Sequence, residues 1–220
     1  MRGPVDEFGL APARTALVVV DMQVVFGPGG PWIEYYRAAG QPEGDLYETR
    51  LSTLLPALKV LIRGCQEAGS QVVFLRVGRP VGKAGPPRMA RLGRAAAAAG
   101  RPMPSARPGD LAYEILPELE PQAGDWIVDK TTANVFASTD LERRLRDKGI
   151  DTLVFAGVGT NYCVESSLRG AYDLGFECVL AEDACGAWTP EAHDTALASM
   201  RTFCRIDPVE RVLEDLREGP

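Results

Sequence analysis

Phe155-Ala-Gly-Val-Gly-Thr-Asn-Tyr-Cys163-Val-Glu-Ser-Ser167 is the stretch on which the fold turns. Thr152 to Ala156 reads as a buried strand, and the glycines at 157 and 159 break it. A helix is expected to open at Cys163. A thiol in the first turn of a helix faces unpaired backbone N–H groups and the positive end of the macrodipole. That setting favours thiolate, the form that attacks carbon. The same N–H groups can hold an oxyanion formed on a carbonyl under attack. Cys163 is therefore a candidate nucleophile, expected to be ionised.

Working outward, the same strand-then-helix rhythm recurs. Thr15-Ala-Leu-Val-Val-Val20 is a continuous apolar run, as in a parallel strand covered on both faces, and it ends at Asp21. The turn Gly27-Pro-Gly-Gly-Pro31 follows. Leu51, Leu54, Leu55, Leu58, Leu61, Ile62 and Cys65 then mark one helical face, with Pro56 in its first turn or kinking it. Gln71 to Leu75 is the second strand, ending at Arg76, and Trp126 to Asp129 the third, ending at Lys130. Thr139-Asp-Leu-Glu142 reads as a capping box for a helix that stops at Gly149. Beyond the Cys163 helix come a strand over Glu177 to Ala181 and a helix started by Thr189-Pro-Glu. A short strand over Phe203 to Ile206 precedes a last helix capped by Asp207.

This alternation implies an α/β fold: a three-layer α/β/α arrangement around a mostly parallel, roughly six-stranded sheet. Residues 1–220 read as one domain, interrupted by a Gly/Pro/Arg-rich insertion at about 78–109. In such sheets ligands bind beyond the carboxyl ends of the strands. Asp21, Lys130 and Cys163 follow three different strands at that edge. Asp21 is placed to accept the thiol proton and return it to a leaving amine; Lys130 would keep Asp21 ionised. An ion pair at a loop mouth is the plainer reading of Asp21 and Lys130. The single histidine, His193, reads as an exposed helix residue.

A net charge of −6 disfavours nucleic acid and anionic membranes as main partners. No apolar run approaches the ~18 residues of a membrane span, and Met1 to Arg14 lacks an apolar signal core, so a cytoplasmic location is expected. The five cysteines, at 65, 163, 178, 185 and 204, form no C-x-x-C pair, which argues against a disulfide framework or a thiolate zinc site. The four besides Cys163 read as small core residues. Phe26, Trp32, Phe136, Tyr162 and Trp188 flank the strand-end motifs as candidate walls of an apolar cleft. Arg76 has no evident structural partner and is a candidate to meet a substrate carboxylate.

Three stretches in order, Val18-Val-Val-Asp21-Met-Gln, then Asp129-Lys130 with Phe136, then Gly157-Val-Gly-Thr-Asn-Tyr-Cys163-Val-Glu-Ser, resemble the isochorismatase-like cysteine hydrolases. The resemblance spans roughly residues 14 to 206 and leans towards the N-carbamoylsarcosine, ureidoacrylate and biuret amidohydrolase branch. It implies a catalytic triad of Asp21, Lys130 and Cys163, backbone oxyanion donors at Gly159 and Cys163, and a cis peptide at Val158–Gly159. It further implies cleavage of a C–N bond in a small amide, ureide or carbamoyl compound through a thioester, without a cofactor, in a homodimer or homotetramer. Nicotinamidases of this family bind a metal through Asp and His near the second strand. Here that region reads Arg76-Val-Gly-Arg79, so no metal is expected.

Other classes stay open at this point: a thiol-based redox sensor, a catalytically silent binding protein on the same fold, or a nicotinamidase-like amidase. A dinucleotide fingerprint fails, because its third glycine falls on Tyr162.

Overall fold

The computed structural model describes residues 8–78 and 87–219. The strands are β1 (Thr15–Val20), β2 (Gln71–Val77), β3 (Trp126–Lys130), β4 (Thr152–Val158), β5 (Glu177–Gly186) and β6 (Arg205–Asp207). They form one sheet in the order β3-β2-β1-β4-β5-β6, every neighbouring pair parallel. The helices are α1 (Pro31–Ala38), α2 (Glu43–Ala68), α3 (Pro87–Ala98), α4 (Leu141–Asp147), α5 (Glu165–Asp173), α6 (Pro190–Met200) and α7 (Val209–Glu218).

β1 is buried along its whole length because its two faces feed two cores. Leu17 and Val19 pack with Leu51 and Leu58 of α2 and Val212 of α7. Ala16, Val18 and Val20 pack with Leu145 of α4, Leu168 of α5 and Met200 of α6. A period-two strand between two helical layers needs apolar residues at every position, and this one has them. The chain runs from β1 outward to β2 and β3, then returns to place β4 on the other side of β1. That reversal opens a crevice between the carboxyl ends of β1 and β4.

Several local expectations change. β2, β4 and β5 run two to five residues past their apolar runs, since ladder pairing continues beyond the covered core. α2 starts at Glu43, well before its apolar face, and carries Pro56 in its interior. α1, unforeseen, follows the Gly27–Pro31 turn and uses Pro31 as its first residue. The Thr139 hydroxyl accepts from Leu141 N–H, but the residue before α4 is Asp140, so no capping box forms. The α7 start is tied by Asp183, which accepts from Val209 N–H at 2.9 Å; Asp207 pairs instead with Arg205. Thr189 does cap α6, accepting from Ala192 N–H at 3.2 Å. Within the insertion, residues 79–86 lie outside the described residues, and α3 is its helix.

Candidate active site

Gly157 lets β4 bend against β1. Its φ is +109°, and a Cβ there would stand 2.3 Å from the Val20 carbonyl oxygen, so only glycine fits. The Val158–Gly159 peptide is cis. Thr160–Val164 then forms a π-helical turn, and regular α5 begins at Glu165. Cys163 thus lies in an irregular turn ahead of the helix, rather than at the start of the helix itself. Across the crevice, β1 ends at Asp21, whose φ of 52° is left-handed. Aspartate tolerates that region better than most residues, and it turns the chain sharply out of the sheet.

Lys130, at the end of β3, reaches under this edge. Its Nζ donates to Asp21 Oδ2 at 2.8 Å and to the Thr132 carbonyl at 3.1 Å. The Cys163 thiol interacts with both Asp21 and Lys130. All three side chains are buried. Asp21 Oδ1 has no hydrogen-bond partner within ordinary distance among the described residues.

Burial sets the protonation states. It pushes the Asp21 carboxyl above its usual range, only partly countered by the Lys130 ammonium. Burial pulls Lys130 down, but Asp21 and Cys163 outweigh it and hold the ammonium more firmly than usual. Burial, then the Asp21 carboxylate, push the Cys163 thiol up despite Lys130. These shifts run against the expected resting thiolate. Desolvation first and the Asp21 carboxylate second favour the thiol form of Cys163.

Asp21 and Cys163 open onto a cavity of about 700 Å³. Phe26, Trp32, Tyr47 and Trp188 supply much of its apolar wall, and Tyr162 and Gly159 line it too. The Trp188 ring packs, tilted, 4.2 Å from the Tyr47 ring and 4.7 Å from that of Tyr36. The insertion contributes Met89 and Gly93 from α3 and the segment from Met103 to Arg107. Tyr47 is the wall residue that sequence reasoning missed. It belongs to the first turns of α2, which precede the apolar repeat that marked the helix.

Two expected contacts do not join the cavity. Arg76 is engaged instead by Asp129 at 2.8 Å and Glu114 at 2.7 Å, with its guanidinium over the Tyr113 ring. The partners come from β3 and a distant loop, so no local signal announced them. Phe136 stacks on Phe176 in the second core. His193, expected to be exposed, is half-buried and meets Thr160 and Arg50. Among the described residues no three His, Cys, Asp or Glu side chains gather as a cation site, and the one histidine is engaged elsewhere. That donor set does not fit the Asp and His metal site of nicotinamidases. No helix among the described residues is long and apolar enough to cross a membrane.

In sequence and in fold the chain is similar to known hydrolases. The ureidoacrylate amidohydrolase of Pantoea ananatis is 32% identical over 214 residues, covering 90% of this chain and 80% of that protein. The corresponding enzyme of Agrobacterium fabrum is 34% identical over 216 residues, covering 90% and 91%. Among solved structures, a cysteine hydrolase from Pseudomonas syringae pv. phaseolicola superposes with a TM-score of 0.79 at 25% identity, covering 99% of each chain. Residues 15–208 match the isochorismatase domain, and the chain therefore belongs to the isochorismatase family of hydrolases.

Proposed function

We propose that this protein is a cysteine amidohydrolase that cleaves a C–N bond of a small linear amide or ureide, with Cys163 as nucleophile, Asp21 as proton carrier and Lys130 as its counter-charge. The observation that carries the reading is the buried Lys130–Asp21 pair at 2.8 Å, in contact with a thiol that opens onto a cavity. Because burial and Asp21 favour the thiol over the thiolate, attack needs a base at hand, and Asp21 Oδ1 accepts no hydrogen bond from any donor other than this thiol among the described residues. Sulfur adds to the carbonyl carbon as its proton passes to Asp21. The backbone N–H groups of Gly159 and Cys163 would hold the oxyanion. Collapse breaks the C–N bond, Asp21 returns the proton to the leaving nitrogen, and a thioester stays on Cys163. Water then adds to the thioester carbonyl, losing its proton to Asp21, which restores the thiol as the S–C bond breaks. Lys130 stays protonated throughout and steadies the negative charge as it moves between Asp21 and sulfur.

The substrate is proposed to be a carboxylated ureide of the kind named for the relatives. Apart from Asp21, the charged residue among the described cavity lining is Arg107, and its guanidinium makes no hydrogen bond or ion pair with the described residues. It could receive a substrate carboxylate while the apolar walls hold the chain between. A protonated, buried thiol also disfavours the redox-sensor alternative, since sensor cysteines are accessible thiolates. Five free cysteines suit a reducing compartment such as the cytoplasm, and a homodimer or homotetramer is proposed from family resemblance. Light scattering on the purified protein tests the assembly.

Ammonia release from a panel of ureido acids, carbamoyl compounds and primary amides, with and without iodoacetamide, tests the function. Turnover of a carboxylated ureide that iodoacetamide abolishes is expected. Turnover insensitive to complete alkylation of Cys163 would overturn the mechanism.

A further inference from the structure

We infer that His193 is a positioning residue: a neutral imidazole, protonated on Nδ1, that clamps the turn carrying Cys163. Thr160, the first residue of that π-helical turn, is fully buried, and its Oγ1 lies 2.9 Å from His193 Nδ1. On the other side of the ring, Arg50 Nη2 lies 3.4 Å from Nε2. A guanidinium only donates, so Nε2 must present its lone pair and the ring proton must sit on Nδ1. His193 therefore donates to Thr160. The alternative tautomer would point Nε2–H at the Arg50 N–H groups.

Arg50 is itself held. Its Nε donates to the Cys185 carbonyl and its Nη2 to the Glu182 carbonyl, both at 2.8 Å. Cys185 pairs in register with Gly157, the residue at which β4 bends. The chain of contacts thus runs from α2 through the end of β5 and α6 to the nucleophile turn. A π-helical turn of only five residues, Thr160–Val164, lacks the long regular ladder that would hold it, and this clamp supplies an external restraint. The charged groups that bear on the imidazole are Arg50 from α2 and Asp194 beside it on α6. Burial first and Arg50 second keep the ring neutral, pushing its protonation below the ordinary histidine range.

The inference rests on Cys163 being the nucleophile, but its first test does not. The chain has one histidine, so a two-dimensional ¹⁵N spectrum of the wild-type imidazole reports a single ring. At neutral pH the Nδ1–H tautomer is expected; the Nε2–H tautomer, or an imidazolium, overturns the clamp. Second, kcat and KM are compared for wild type, His193→Ala, His193→Asn and Thr160→Val, using ureidoacrylate or the most rapidly hydrolysed amide of the panel. His193→Ala is expected to lower kcat about tenfold with KM little changed, and His193→Asn to restore much of it, because its amide N–H can replace the Nδ1 donor. Adding Thr160→Val to His193→Ala should cost little more, since both remove the same bond. A His193→Ala variant that keeps kcat within twofold, or a loss confined to KM, overturns the role. If that variant fails to fold, the tautomer and the His193→Asn kinetics decide. A correct tautomer together with a fully active Cys163→Ala would instead refute the nucleophile and leave the clamp standing.

Discussion

Lys130 Nζ stands 2.8 Å from Asp21 Oδ2, with both side chains sealed from solvent. A buried pair of this kind is costly to assemble, and removing one partner leaves the other charge unpaired. Lys130→Met should therefore destabilise the protein by about 3–5 kcal/mol. Asp21 is already pushed above its usual range by burial, and loss of Lys130 pushes it further. A carboxyl whose folded-state pKa lies above its unfolded value binds its proton more tightly in the folded protein, so stability falls as pH rises between the two. The melting temperature of Lys130→Met, relative to wild type, should thus recover as pH is lowered from 7 towards 5. A flat difference across that range would contradict the assignment.

Cys163 should be a thiol at neutral pH. Burial and Asp21 raise it, so the alkylation rate by iodoacetamide should keep climbing above pH 9, with no plateau near neutrality. Peptide-level mass spectrometry separates Cys163 from the four other cysteines. Cys163→Ala and Cys163→Ser should each lose at least about a thousandfold in turnover while melting near the wild-type temperature, because neither supplies a sulfur nucleophile. Retention of a tenth of the activity by the alanine variant would sink the covalent route.

Arg107→Gln addresses the substrate. For a carboxylated ureide, KM should rise roughly three- to tenfold, a modest figure because Arg107 is exposed to solvent. A neutral primary amide should be unaffected. Equal changes for both substrates would assign Arg107 to general cavity shape.

Gly157→Ala probes the bend. A methyl group 2.3 Å from the Val20 carbonyl, at a φ of +109°, forces β4 away from β1. Urea unfolding should show a loss of about 3 kcal/mol with little change in slope. A loss under half that would mean the bend relaxes easily.

Activity should survive exhaustive dialysis against a strong chelator, because the described donor set does not fit a metal centre. Loss on chelation, restored by zinc or iron, would require ligands from outside the described residues.

The architecture was legible where local chemistry decides it. Val18-Val-Val20 can only be a strand covered on both faces, and Thr189-Pro190 can only begin a helix, so the alternation of elements and the parallel sheet followed. The three residues at the sheet edge followed too, because each comes after an apolar run that reads as a parallel strand. The cis peptide at Val158–Gly159 agrees with what the family resemblance implied.

What sequence alone determined, then, was which groups stand at the end of which strands, since that depends on period and punctuation along the chain. What only the tertiary structure decided was their surroundings. Burial contributed by distant elements raises the Cys163 thiol, against the thiolate that a helix start would favour. Asp129 and Glu114, far from Arg76 in the chain, took up that guanidinium and left Arg107 as the cation among the described residues of the cavity lining. Arg50 and Thr160 drew His193 from an apparent surface helix into the support of the nucleophile turn. Desolvation and pairing are set by what packs within a few ångströms in space, and no periodicity along the chain encodes that.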